Sequence, residues 1–405
     1  MSSKRHPFSR YVIRFGIVIG IYLLLATTFT TTVDPWRVLR MPWALDSLEE
    51  YRDFSDAHRT GKAGLAMDPK GWEIAYFGSS RIEMGLTTDY AGFEGKRVVN
   101  LGLAGGLTEE NTAMAKFAIR KNPNLKTILF GIDSGDLTSR VNLTGQTDFL
   151  RSPLAEGQSI VERNLGYLTG VRALTESFVV VSNRFKDKKS KYELTGQRVG
   201  NLGEPPPLRD YVEIRKPFYQ SQARAFDTTE DSPLNMEKFA LLSDFLEETR
   251  AAGIRIILVI PPRHALMQIH PVANDPAAAP WVRERTELAE LCEKINSMDL
   301  SGEKITFLDF CTFSPLNTQP LPGGQDAPFP DWPDLEHCTG SLGLKVVEKC
   351  FGEDSEKIPA WGVNVLDTGI EEHLSRLRKG HMKYCKEHPK DVAWFRSKVL
   401  SDNNE

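Results

Sequence analysis

Short apolar runs rich in β-branched residues alternate along the chain with stretches whose apolar residues recur at helical spacing. This arrangement builds a parallel sheet from βαβ units. The strand-like runs are 72–77, 97–101, 126–130, 254–260 and 305–310. Between the second and third, 108–122 reads as a helix, with Ala113, Phe117 and Ala118 on one face. A second helix is predicted over 236–252, where Phe239, Leu242, Phe245 and Leu246 share a face and Gly253 stops it. Segments 281–298 and 341–351 complete the alternation, and an α/β fold follows.

Two stretches interrupt the pattern. Residues 15–33 are nineteen positions without a charge, and a helix of that length rises about 28 Å, enough to cross a bilayer. Lys4, Arg5, Arg10 and Arg14 precede it and Asp34 follows, which places the N-terminus (1–14) in the cytoplasm and the main domain outside, periplasmic or extracellular. A cleavable signal peptide is the alternative; the length of the run and its end in Ala26 to Thr32, with no small-x-small site, favour an uncleaved anchor. The second interruption, 135–235, is far longer than a βα connection and is expected to be an insertion between strands three and four. Within it, 160–185 has helical character, 196–207 is rich in Gly and Pro, and 185–191 is a basic run that reads as a solvated helix end or as a contact for an anionic glycan or lipid. Residues 34–71 are expected to be a linker and 353–405 a charged tail, helical over 368–398.

Composition narrows the function. A net charge of −4 with 26% charged residues gives no basic field for a nucleic-acid backbone. Seven Trp and 21 Phe supply ample core for a folded domain. No CxxC motif or His/Cys cluster suggests a metal, and no cofactor is expected. Five cysteines in an oxidising compartment permit one or two disulfides, and Cys311 with Cys338 is the expected pair because both follow elements that meet at the candidate site.

Candidate chemistry gathers at the strand ends, which face the ligand crevice in open α/β sheets. The first strand runs into Gly78-Ser79-Ser80-Arg81, either an ordinary turn or a hydroxyl presented to a cleft. The second leads through Asn100-Leu101-Gly102-Leu103-Ala104-Gly105-Gly106 into a helix; such glycines serve a tight turn or converge backbone N–H groups on developing negative charge. The third ends in Gly131-Ile132-Asp133. Before the last core helix stands Asp334-Leu335-Glu336-His337, in which His337 suits a general base and Asp334 its orienting carboxylate.

This ordered set resembles the SGNH/GDSL hydrolase superfamily over 72–352, apart from the insertion. The resemblance implies a three-layer sandwich around a five-stranded parallel sheet of flavodoxin-like order. It also implies Ser80 as nucleophile, Asp334 and His337 as its partners, and an oxyanion hole from the Ser80 and Gly105 N–H groups. Two positions depart from the pattern: Ser79 stands where the family has Asp, and Asp133 where it has Asn. An ionised carboxylate repels an oxyanion, so Asp133 is expected to hold a proton, to turn away and bind Arg81, or to serve an altered mechanism. The variation is similar to the membrane-anchored branch that assists O-acetylation of secreted polysaccharides. That likeness implies a carbohydrate substrate, a multi-spanning membrane O-acyltransferase as partner, and either an O-acyltransferase or an esterase; the alternative is an inactive glycan-binding or scaffolding subunit. Arg81, Asp133, Arg263 and His264 are the expected substrate contacts, Arg263 and His264 following the fourth strand. His270, Trp281 and Trp332 are candidates for a sugar-binding rim or for core, and Asn142-Leu143-Thr144 is a glycosylation sequon.

Overall fold

The computed structural model describes residues 7–137, 147–155, 157, 159–198, 234–269, 280–322, 329, 331–352 and 361–399. The sequon at Asn142 and the side chains of His270 and Trp281 lie outside them. Along the chain come α1 (Pro7–Val33), α2 (His58–Ala66), β1 (Ile74–Phe77), α3 (Ser80–Gly85), β2 (Val98–Asn100), α4 (Thr108–Lys121), β3 (Thr127–Gly131), α5 (Thr147–Arg151), α6 (Ile160–Thr169) and α7 (Val171–Phe185). Then follow α8 (Met236–Ala251), β4 (Arg255–Ile260), α9 (Pro280–Ser297), β5 (Thr306–Asp309), α10 (Gly340–Phe351), β6 (Val363–Asn364), α11 (Val365–Thr368), α12 (Ile370–Glu387) and α13 (Pro389–Val399).

The strands form one mixed sheet in the order β2-β1-β3-β4-β5-β6. The first five are parallel; β6 pairs antiparallel with the end of β5, through Leu308 opposite Asn364 and Asp309 opposite Val363. The sheet therefore has one strand more than the five-stranded parallel sheet expected, and β6 is too short for hydrophobic alternation to reveal. Successive strand residues divide between two cores. Ala75, Phe77, Ile128, Phe130, Ile256 and Leu258 pack with α4, α8 and α9, while Ile74, Tyr76, Leu129, Ile257 and Val259 pack with α3 and α10. Burial on both faces is why the runs were apolar throughout rather than alternating.

Residues 34–71 are not a linker. The Asp34 carboxylate accepts the N–H groups of Val38, Leu39 and Arg40. Arg52 donates from Nε and Nη2 to the Val33 carbonyl at 3.0 and 2.8 Å, placing a cation on the C-terminus of α1. Farther on, the fully buried Lys62 donates to the carbonyls of Asn100 (2.9 Å) and Gly196 (2.6 Å) and faces Glu83 at 3.7 Å. The described part of the C-terminal tail is docked too: His373 of α12 lies 2.9 Å from Asp309, which also binds Arg285 of α9.

All five cysteines are free thiols. The expected Cys311–Cys338 pair does not form because the two side chains belong to the cores on opposite faces of the sheet. Burial pushes the thiols of Cys292 and Cys338 up to about 12, which suppresses the reactive thiolate. Unreduced protein is expected to yield five alkylated cysteines by mass spectrometry after denaturation, and its thermal midpoint to be insensitive to reductant.

Candidate active site

The site assembles at the carboxyl ends of β1, β2 and β3. Gly78 follows β1 with φ +145°, and a Cβ there would lie 2.5 Å from Ile82 Cγ1, so only glycine lets the chain turn tightly enough to start α3 one residue after Ser79. The Ser79 side chain caps α3 by accepting from the Arg81 N–H at 3.3 Å and is buried. Ser80, the first helical residue, is half-buried, and its N–H is one of the helix-start donors with no intrahelical acceptor.

Ser80 Oγ lies 2.8 Å from His337 Nε2, although 257 residues separate them. His337 Nδ1 lies 2.7 Å from Asp334 Oδ2, and Asp334 Oδ1 accepts the N–H groups of Glu336 (2.6 Å) and His337 (2.7 Å). The Asp-x-x-His spacing thus makes a turn in which one carboxylate fixes both backbone and ring. A carboxylate only accepts, so Nδ1 carries the proton and Nε2 is left to accept from the serine. Burial opposes charge on His337, but the Asp334 carboxylate outweighs it and raises the imidazole pKa above its ordinary value. Burial likewise works against the Asp334 anion, which His337 and the two N–H groups nevertheless hold below the usual carboxylate range. The result is a hydrogen-bonded Ser–His–Asp triad.

Ser80 and His337 border a cleft of about 270 Å³ lined also by Arg81, Gly105, Asp133, Arg263 and Glu336. Gly105 is exposed with φ +64° and nothing within 4 Å of where a Cβ would stand, so its backbone is open to a bound group. Asn100 builds this turn: its Nδ2 donates to the carbonyls of Ile82 (2.8 Å) and Leu86 (3.0 Å) and its Oδ1 accepts from Gly102 N–H. Of the expectations for Asp133, the pairing with Arg81 is present, its Oδ2 sitting 3.1 Å from Arg81 Nη2, but the residue does not turn away and still lines the cleft. Arg81 also faces Glu336 at 3.6 Å, and Arg263 Nε lies 2.9 Å from the same carboxylate. Burial disfavours the Arg81 charge, yet Asp133 and Glu336 together raise its pKa. Arg81→Met, which strips both acids of this cation, is expected to destabilise the fold by about 3 kcal/mol, read from chemical denaturation.

His264 and Trp332 are not at the site. His264 is fully buried, with Nε2 2.8 Å from the Gln319 carbonyl and Nδ1 accepting from Leu266 N–H; burial lowers its pKa to about 4, leaving a neutral core histidine. Trp332 is buried against it and donates to the Leu316 carbonyl at 3.1 Å.

Glu336 escaped the sequence reading although it stands between the two triad residues. The signal was there: an acidic residue in the same block, opposite arginines at the ends of two strands. The supports of the β3 turn were also missed. Asp136 accepts from the Thr108 N–H and hydroxyl at 2.8 and 2.6 Å and from Lys238 Nζ at 2.8 Å. Glu284 accepts from the N–H groups of Gly135 (2.7 Å) and Leu137 (3.1 Å), and burial raises its pKa to about 7. Such long-range partners leave no local pattern. No protein-family model matches the chain, and no curated protein matches it.

Proposed function

We propose that the protein is a membrane-anchored SGNH-like serine enzyme that handles acyl esters. The observation that carries this reading is the unbroken Ser80–His337–Asp334 hydrogen-bond chain at the mouth of the cleft. In this scheme Ser80 Oγ bonds to the acyl carbon as its proton passes to His337 Nε2, and the tetrahedral oxyanion rests on the Ser80 and Gly105 N–H groups. Collapse expels the alkoxide, which takes the proton from Nε2. A second hydroxyl then attacks the acyl-enzyme, gives its proton to Nε2, and Ser80 recovers it as the product leaves. Water as acceptor makes an esterase; a sugar hydroxyl makes an O-acyltransferase on a secreted or surface polysaccharide, working beside a multi-spanning acyltransferase. On this reading Arg81, Asp133 and Arg263, which line the cleft, contact the acceptor. The three-layer, flavodoxin-like description of the five parallel strands, with the stretch after β3 as an insertion, and an extracytoplasmic main domain belong to the same reading.

A fluorophosphonate probe, which needs an activated serine, tests it: the wild-type chain is expected to label and Ser80→Ala not to. The second reading, an inactive glycan-binding or scaffolding subunit, draws on Asp133, a carboxylate where a donor amide would assist the oxyanion. Absence of labelling in folded protein, with retained binding to an oligosaccharide, favours that reading.

A further inference from the structure

Helix α1 is long and apolar enough to cross a membrane, and its surface from Phe8 to Leu25 is exposed. One side of its last two turns is covered: Ala26, Thr30, Thr31 and Val33 are buried in the body of the protein. What surrounds this exit is unusually apolar on its outer side. Helix α7 buries Ala173, Ser177 and Val180 inward, yet Val171, Phe178 and Phe185, seven residues apart and so on one face, are 77, 64 and 86% exposed. Helix α6 repeats this with exposed Val161 and Leu165. Both helices pack on α1: the Phe178 ring lies 4.7 Å from that of Phe29, and Thr30 Oγ1 donates to the Leu168 carbonyl at 2.6 Å. On another flank, Trp43 is 57% exposed while its Nε1 donates to Thr31 Oγ1 at 3.1 Å, and the exposed Leu45 donates its N–H to the Thr32 carbonyl.

We propose that this collar, formed by the outer stripes of α6 and α7 with Trp43 and Leu45, is a second membrane-contact element that lies in the headgroup–acyl boundary of the bilayer around α1. Continuity with α1 selects lipid as the occupant. Phe29 to Thr31, which the collar touches, stand only about 6 to 9 Å beyond Leu25 at 1.5 Å per residue, still inside the Phe8–Val33 apolar span, so the collar adjoins the exposed stretch of α1 directly. Trp43 has the form of an interfacial aromatic, ring outward and N–H satisfied. Past Phe185 the exposed Lys186 and Lys188 suit phosphate headgroups, alongside Asp187, which Tyr51 engages. Because Arg52 and Asp34 brace the exit, the collar would fix the height and tilt of the cleft over the membrane rather than leave it on a swivel.

The inference rests on α1 lying in a bilayer, and the test separates the two. Full-length protein carrying the photoreactive residue p-benzoylphenylalanine in place of Phe178, Phe185, Leu24 or Met382 is reconstituted in phosphatidylcholine–phosphatidylglycerol vesicles with tritiated acyl chains. Met382 is an exposed position on α12, away from α1, and Leu24 reports the anchor. Lipid adducts at 178 and 185 are expected several-fold above those at 382 and comparable to those at 24. Adducts at 24 alone overturn the collar and keep the anchor; none at 24 overturns both. Adducts at 178 and 185 to a second protein in native membranes, with none to lipid, show that the stripe is a protein interface and overturn the lipid assignment.

Discussion

Ser80→Ala is expected to lower the turnover of an activated acetyl ester by roughly 10⁴- to 10⁶-fold, the loss typical when a triad serine is removed and only binding and oxyanion contacts remain. The effect is large because the hydroxyl is both the bond-forming atom and the proton donor to His337 Nε2, 2.8 Å away. The adjacent serine supplies the control. Ser79 is buried and caps α3 through its bond to Arg81 N–H, so Ser79→Ala is expected to cost about 1 kcal/mol of stability while leaving the nucleophile in place. Parallel esterase assays and melting curves tell the two roles apart. Turnover surviving in Ser80→Ala, or lost equally in both variants, would sink the assignment.

The sheet was largely legible from the sequence because β1 to β5 are covered on both faces, so each reads as a continuous apolar run that no loop would carry. The helices at α4, α8, α9 and α10 matched their periodic segments to within a residue or two, since apolar residues recur at helical spacing in each of them. Ser80, Asp334 and His337 were found by their order along the strand ends, and the fold brings them together. Elsewhere polar residues hold the fold, and periodicity is silent there. Lys62, Arg52 and Arg37 look like solvated charges of a linker, but each is buried against a carbonyl or carboxylate that lies beyond the reach of helical or strand periodicity, 12 residues away for Arg37 and 38 for Lys62. His264 misled for the converse reason: its position after β4 suggested the cleft, whereas its ring turns into an apolar aromatic core. Cysteines that follow neighbouring elements look pairable in one dimension, but the sheet stands between Cys311 and Cys338.

Asp334→Asn is expected to reduce kcat by about 10⁴-fold while preserving the fold, and the hydrogen bonds give the reason. Two backbone N–H groups, from Glu336 and His337, already point at Oδ1. An asparagine must keep its carbonyl oxygen there, so its NH₂ group falls opposite His337 Nδ1. That donor forces Nδ1 to accept, the ring proton moves to Nε2, and Nε2 can no longer receive the proton of Ser80. The pH profile adds a signature that mere loosening would not produce. In the wild-type chain burial lowers the His337 pKa but Asp334 more than offsets it, so the acid limb of kcat/KM is expected above the ordinary imidazole value of 6.5, activity rising with pH as the base becomes neutral. Removing the Asp334 charge leaves burial as the dominant influence, and the limb of the residual activity moves toward lower pH. Measured kcat/KM between acid and neutral pH for both chains checks the sign; an unchanged limb with lowered kcat would mean that Asp334 does not set the charge state of His337.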